Sequence, residues 1–187
     1  MSALKEEYSR DKCSGYVTLI AHTGEFNYDT DEVENGEILS QMTLKNLIVN
    51  SSSAILAGAV IPNTNVKITH LGVGIGNNNG KIPSEDVNKT ELIHEVRRTK
   101  ISRSGYIDAN GNNTNDRKLI KGCVLKTTLS KLSEFSLVEM GLFGGIDNEA
   151  ETIGGGIMFN YKTFSTWSIS DTASLTVIWR IYFWWND

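Results

Sequence analysis

Apolar residues fall at every second position over several stretches of this chain, and clusters of Gly and Asn separate those stretches. The period is clearest near the end. Leu175, Val177, Trp179, Ile181, Phe183 and Trp185 share one face of an extended strand, while Thr176, Ile178, Arg180, Tyr182 and Trp184 share the other. Phe135 to Phe143 alternates in the same way, setting Phe135, Leu137, Glu139, Gly141 and Phe143 against Ser136, Val138, Met140 and Leu142. Further strands are predicted at Tyr16 to His22, Val66 to Val73, Ile93 to Ser102, Leu119 to Leu129 and Gly156 to Phe164. Runs such as Asn77-Asn78-Asn79-Gly80 and Asn110-Gly111-Asn112-Asn113 supply the backbone conformations that tight turns need. The pattern predicts an all-β fold, an antiparallel β-sandwich.

One short helix is predicted from about Thr43 to about Gly58. There Leu44, Leu47, Ile48, Ile55 and Leu56 form a broken helical stripe, ending at Gly58 ahead of Pro62. The stretch Asn27 to Glu37 is acidic and aperiodic, which reads as an exposed loop. It divides an N-terminal arm, residues 1–37 with a single strand, from a sandwich domain over residues 38–187.

Length and charge narrow the function classes. A chain of 187 residues buries one sizeable core. Its 18 Lys and Arg against 22 Asp and Glu give a formal charge of -4, without the dense basic patch that nucleic-acid binding requires. No apolar run reaches the roughly 20 residues needed to cross a bilayer, and the most apolar segment is interrupted by Arg180. Membrane insertion is therefore not expected, nor is export through an N-terminal signal, because the chain is charged from Lys5 onward. Cys13 and Cys123 stand alone and read as reduced thiols.

The candidate chemistry is sparse. Gly72, Gly74 and Gly76 follow a G-x-G-x-G spacing, and the dinucleotide fingerprint G-x-G-x-x-G leading into a helix is not met. The glycines read as a bend at a strand end. His22, His70 and His94 lie in strand-like stretches without a hydrolase or zinc motif, so hydrogen-bonded structural roles are expected and no catalytic, cofactor or metal residue is assigned. The run Asp108 to Asp116 begins like a calcium loop, but Asn113 and Leu119 stand where an EF-hand loop has Gly and Glu. A solvated turn is the simpler reading. On a regular strand Glu91, Glu95 and Arg97 share one face and Arg98 and Lys100 the other, so Arg97, Arg98, Lys100 and Arg103 are candidates for an edge that meets a neighbouring subunit. Tyr182, Trp184 and Trp185 add apolar area near the chain end as further interface candidates.

Several motifs recur in a fixed order. Asn46-Leu47-Ile48-Val49-Asn50 precedes a short helix, then come Ile68-Thr69-His70-Leu71-Gly72-Val73-Gly74, Thr90-Glu91-Leu92 and Glu95-x-Arg97-Arg98. Glu139-Met140-Gly141-Leu142-Phe143 and the strand Asp171-Thr172-x-x-Leu175-Thr176-Val177-x-Trp179 complete the set. Over about residues 44 to 183 this order resembles small structural tail proteins of tailed bacteriophages and related contractile particles. The resemblance implies a non-enzymatic virion component in the fibre or baseplate region, made in the host cytoplasm. It also implies a homo-oligomer, a trimer or a hexamer ring, that contacts other tail proteins. The alternative is a receptor-binding module for host-surface glycan, using Trp167, Trp184 and Trp185 as stacking platforms. Core or interface packing is the other role open to those tryptophans.

Overall fold

A computed structural model describes residues 13–77 and 81–183. Two antiparallel five-stranded sheets face each other across one apolar core. The first has the order β4-β1-β12-β9-β8, built from β1 (Cys13–His22), β4 (Ile38–Lys45), β8 (Arg103–Ile107), β9 (Gly122–Leu129) and β12 (Ser174–Phe183). The second has the order β5-β11-β10-β6-β7, built from β5 (Leu47–Ile48), β6 (Val66–Gly74), β7 (Glu95–Lys100), β10 (Ser136–Ile146) and β11 (Ile157–Ser168). A small hairpin, β2 (Glu25–Asn27) and β3 (Glu32–Glu34), and one helix, α1 (Ser52–Val60), lie outside these sheets. The all-β sandwich with one short helix is thus the observed architecture.

The alternation along β12 sorts its side chains as expected. Val177, Trp179 and Ile181 enter the core from the first sheet and meet Leu71, Val73, Met140 and Leu142 from the second. Ile178 points the other way, into a satellite cluster with Ile20, Ile107 and Val124 that Phe26 and Tyr182 cover. Both faces of the first sheet are therefore occupied.

The N-terminal strand is corrected. β1 lies inside the first sheet, between β4 and β12, and pairs with β12 from Cys13↔Phe183 to His22↔Ser174. Val17 and Leu19 are fully buried in the common core, so residues 13–37 belong to the sandwich and form no separate arm. The acidic stretch is corrected as well, because it folds into the β2–β3 hairpin. Asn27 Oδ1 closes the tip by accepting from the Asp29 and Thr30 amides, at 2.9 and 3.3 Å.

The helix starts later than its stripe suggested. Thr43 to Lys45 complete β4, Leu47 and Ile48 form β5, and only Ser52–Val60 is helical. The physical reason is strand pairing: Leu44 faces Val17 and Leu47 faces Tyr161, which gives these backbone groups partners in two different sheets. Asn46 marks the crossing, its amide donating to Gly15 O at 3.0 Å. The opposite flank crosses at Ile101 and Ser102, whose amides donate to Thr69 O in the second sheet and Lys126 O in the first. A continuous chain thus closes the sandwich on each flank.

Both cysteines are free thiols flanking β12. Burial pushes the Cys13 thiol up to about 11, and burial together with the neighbouring Cys13 pushes Cys123 up to about 12. The reactive species is the thiolate. At pH 8 the native protein is expected to resist iodoacetamide for hours, whereas both thiols label within minutes in denaturant. Rapid native labelling of Cys123 would contradict its placement.

Candidate functional site

Three of the ordered motifs, residues 68–74, 95–98 and 139–143, meet on the outer face of the second sheet, whereas Leu175, Val177 and Trp179 of the last one belong to β12 in the first sheet. Glu139 on β10 is 0 % exposed, and among the described residues it forms no ion pair. Oε1 accepts from the His94 amide at 3.0 Å and Oε2 accepts from the Tyr161 hydroxyl at 2.8 Å. Burial, then the charge of Glu139 and the hydrogen bond to it, drives the Tyr161 phenol well above its ordinary range. Tyr161 stays a neutral donor, and the carboxylate is sealed beneath it.

Beside this pair lies a buried ion pair. The Arg98 guanidinium grips both oxygens of Glu95, through Nε to Oε1 and through Nη2 to Oε2 at 2.7 Å, with side chains only 3 and 5 % exposed. Its Nη1 donates to Ala150 O and Gly155 O at 3.0 and 3.2 Å, and its Cζ stands 3.5 Å from the centroid of the Phe143 ring. A bidentate, stacked guanidinium of this kind satisfies most of its donors in one plane.

The glycines explain themselves in this layer. A Cβ on Gly72 would lie 2.6 Å from Glu95 Oε1 and 2.9 Å from Phe143 Cε2. One on Gly74 would lie 2.7 Å from both Glu139 Oε1 and His94 O. The bare backbone is the floor on which the two carboxylates rest, and no phosphate cradle is formed. Gly76, at φ +68°, supplies the bend expected after the strand. The segment from Lys81 to His94 then lies over this face, held by Asn50 N to Val87 O at 2.7 Å, by Lys162 to Glu85 at 2.5 Å and by buried Leu92.

This geometry corrects the placement of one candidate interface residue, Arg98. Pairing between β6 and β7 shifts at Val73 and Gly74, where Arg97 and Glu95 are the partners and Val96 is the extra residue. The bulge puts Glu95 and Arg98 on the same face, contrary to the regular alternation. Arg98 is consequently an internal clamp and offers nothing to a neighbour. Arg97 is exposed and donates to Lys131 O at 3.3 Å. Lys100 is exposed at a cavity of about 430 Å³ shared with Lys67, His70, Asp147 and Glu151. Arg103 sits on the other sheet, 2.6 Å from Asp29. Tyr182 is partly buried on the satellite cluster, and burial raises its phenol. Trp184 and Trp185 lie outside the described residues. Trp167 is packed in the core, which removes it as a sugar platform.

The remaining candidates are hydrogen-bonded parts of the fold. His22 Nε2 lies 2.8 Å from Thr176 Oγ1, and His70 Nδ1 lies 2.9 Å from Thr69 Oγ1. Burial, then Arg98, holds His70 below the ordinary imidazole range. Asp108 Oδ1 accepts from the Asn110 and Asn112 amides at 2.8 and 2.9 Å, so the acid serves its own turn. Among the described residues no three His, Cys, Asp or Glu side chains gather as a metal site.

A second polar cluster had no local signal. On the outer face of the first sheet, Asp31 at the hairpin tip takes Lys126 at 2.5 Å and Arg180 at 3.3 Å, while Asp29 takes Arg103. Lys126 also donates to Tyr28 O at 2.8 Å, and the Tyr28 hydroxyl reaches Thr128 Oγ1. The only hint in the sequence is Lys126 itself, a charge inside the apolar run GCVLKTTL. No protein-family model matches the chain, and no curated protein or solved structure matches it.

Proposed function

We propose that this chain is a non-enzymatic structural component of a bacteriophage tail, in the fibre or baseplate region, acting through assembly with further copies and with other tail proteins. The observation that carries this reading is the meeting of three of the ordered motifs, residues 68–74, 95–98 and 139–143, in one buried layer. Gly72, Gly74, Glu95, Arg98, Glu139 and Phe143 are distant in sequence and adjacent in space. They behave as one framework, and the family they resemble is structural.

The sheet edges suggest how copies join. Native proteins guard exposed edges with charge, shortness or cover. β7 carries exposed Arg97 and Lys100, β5 has only two residues, and β8 is covered where Thr114 N bonds Tyr106 O at 3.0 Å. β4 is different: eight residues, ILSQMTLK, mostly exposed, without proline and uncharged before Lys45. A second copy pairing antiparallel about a two-fold axis at Met42 sets Ser40 against Leu44, Gln41 against Thr43 and Leu39 against Lys45, so the charge of β4 stands at the end of the contact and away from its centre. A dihedral hexamer repeats this contact. A cyclic ring does not use it.

Native mass spectrometry tests the idea with the full chain. The wild type is expected to form a multimer, and the Leu39→Lys/Gln41→Lys variant to remain a monomer with an unchanged thermal midpoint, because both side chains are exposed. A wild type that stays monomeric at every concentration and captures no tail protein overturns the proposal.

A further inference from the structure

The outer face of the first sheet carries a cleft with chemistry of its own. Its floor is Val124 and Lys126 of β9, one wall is the hairpin tip with Tyr28 and Asp29, and the other is the loop after β8 with Asn113 and Asn115. Two cavities, of about 250 and about 220 Å³, lie side by side and share Asp29, Asn113, Val124 and Lys126. Together they fall within the range of small-ligand clefts, roughly 300–1,000 Å³.

Charge decides the class of ligand. Each cation in the cleft already faces a carboxylate: Arg103 faces Asp29, and Lys126 and Arg180 face Asp31. A phosphate or a polyanion would have to displace those acids. What remains unspent is neutral hydrogen bonding. Among the described residues the side-chain amides of Asn113 and Asn115 bond no protein group, although both stand at the wall. Tyr106 is 58 % exposed at the rim, and its ring is an apolar platform with a polar tip.

The walls are preformed. Thr114 N donates to Tyr106 O, Asn113 forms a bridge with Ile107, and Asp108 holds the turn between them. Opposite, the hairpin is pinned by three ion pairs and by the Phe26 ring packed against Tyr28 at 5.6 Å. Ligand binding therefore needs little ordering of the chain.

We propose that this cleft binds a neutral saccharide, with sugar hydroxyls meeting the Asn113 and Asn115 amides and the Asp29–Arg103 pair, and a ring face on Tyr106. The proposal is independent of the assembly reading, since a single chain contains the whole cleft.

The test is a glycan array of neutral hexose and N-acetylhexosamine oligosaccharides beside their sialylated and uronate counterparts, probed with the full chain. Reproducible binding of neutral members is expected. Tyr106→Ala and Asn113→Ala/Asn115→Ala should each reduce it at least tenfold with unchanged thermal midpoints, while Tyr106→Phe retains it. Absence of neutral binding, binding that survives both alanine variants, or a preference for the acidic counterparts overturns the proposal. None of those outcomes bears on multimer formation by β4, which the mass measurement reads separately.

Discussion

Replacing Arg98 with alanine is expected to cost about 3–5 kcal/mol of folding stability. The variant strips both hydrogen bonds from the Glu95 carboxylate while that carboxylate stays 5 % exposed, and it uncovers Ala150 O, Gly155 O and the Phe143 ring. An uncompensated buried charge is among the few defects that reach this size. Urea denaturation followed by tryptophan fluorescence reads the loss directly. The neighbouring Arg97→Ala is the control: its side chain is exposed, with one weak bond to Lys131 O, so a change within about 0.5 kcal/mol is expected. The pair Glu95→Gln/Arg98→Met should recover part of the stability, because removing both partners leaves no lone charge. Equal stability of Arg98→Ala and wild type would show that the guanidinium lies in solvent and that Glu95 has no need of it.

Gly72→Ala and Gly74→Ala are each expected to cost about 1–3 kcal/mol, as overpacking does in a filled interior. Neither glycine needs a left-handed backbone, so the cost comes from space alone. The added methyl meets Glu95 Oε1 and Phe143 at one position and Glu139 Oε1 and His94 O at the other. Those atoms cannot withdraw cheaply, since Glu139 is held by Tyr161 and His94, and Glu95 is held by Arg98. Gly105→Ala gives the contrast. Its Cβ would find only ordinary contacts, at 3.7 Å from Asn113 and 3.8 Å from Val124, and little change is expected. If the Gly72 and Gly74 variants matched Gly105→Ala in thermal midpoint, the carboxylates could not rest on those glycines.

The two expectations rest on a layer only partly legible in the sequence. The motif order brought Glu95, Arg98, Glu139 and the glycines into one resemblance, yet strand periodicity assigned Glu95 and Arg98 to opposite faces. A single extra residue, Val96, reverses that assignment, and a bulge leaves no mark in a period-two pattern. Tyr161 was invisible for another reason: within the predicted strand Gly156 to Phe164 it is one more apolar position, and only the register with β10 puts its hydroxyl on Glu139.

By itself the sequence determined what is local. Alternation along β12 decided that Leu175, Val177, Trp179 and Ile181 share the core, because side chains on a strand must point to opposite sides in turn. The Asn and Gly clusters decided where strands end, since those residues tolerate the turn conformations, as Gly76 and Gly111 do at φ +68° and +83°. Tertiary structure decided the partners. From the sequence β1 reads as part of an outlying arm, because nothing near Tyr16 to His22 reveals that Ser174 to Phe183 will close on it. The acidic stretch Asn27 to Glu37 reads as an exposed loop because Lys126, Arg103 and Arg180, which hold Asp29 and Asp31, arrive from three other strands. Charge and periodicity specify what a segment can bury or pair; which segment supplies the complement depends on contacts spanning as much as the whole chain, and these form only when the sheets close.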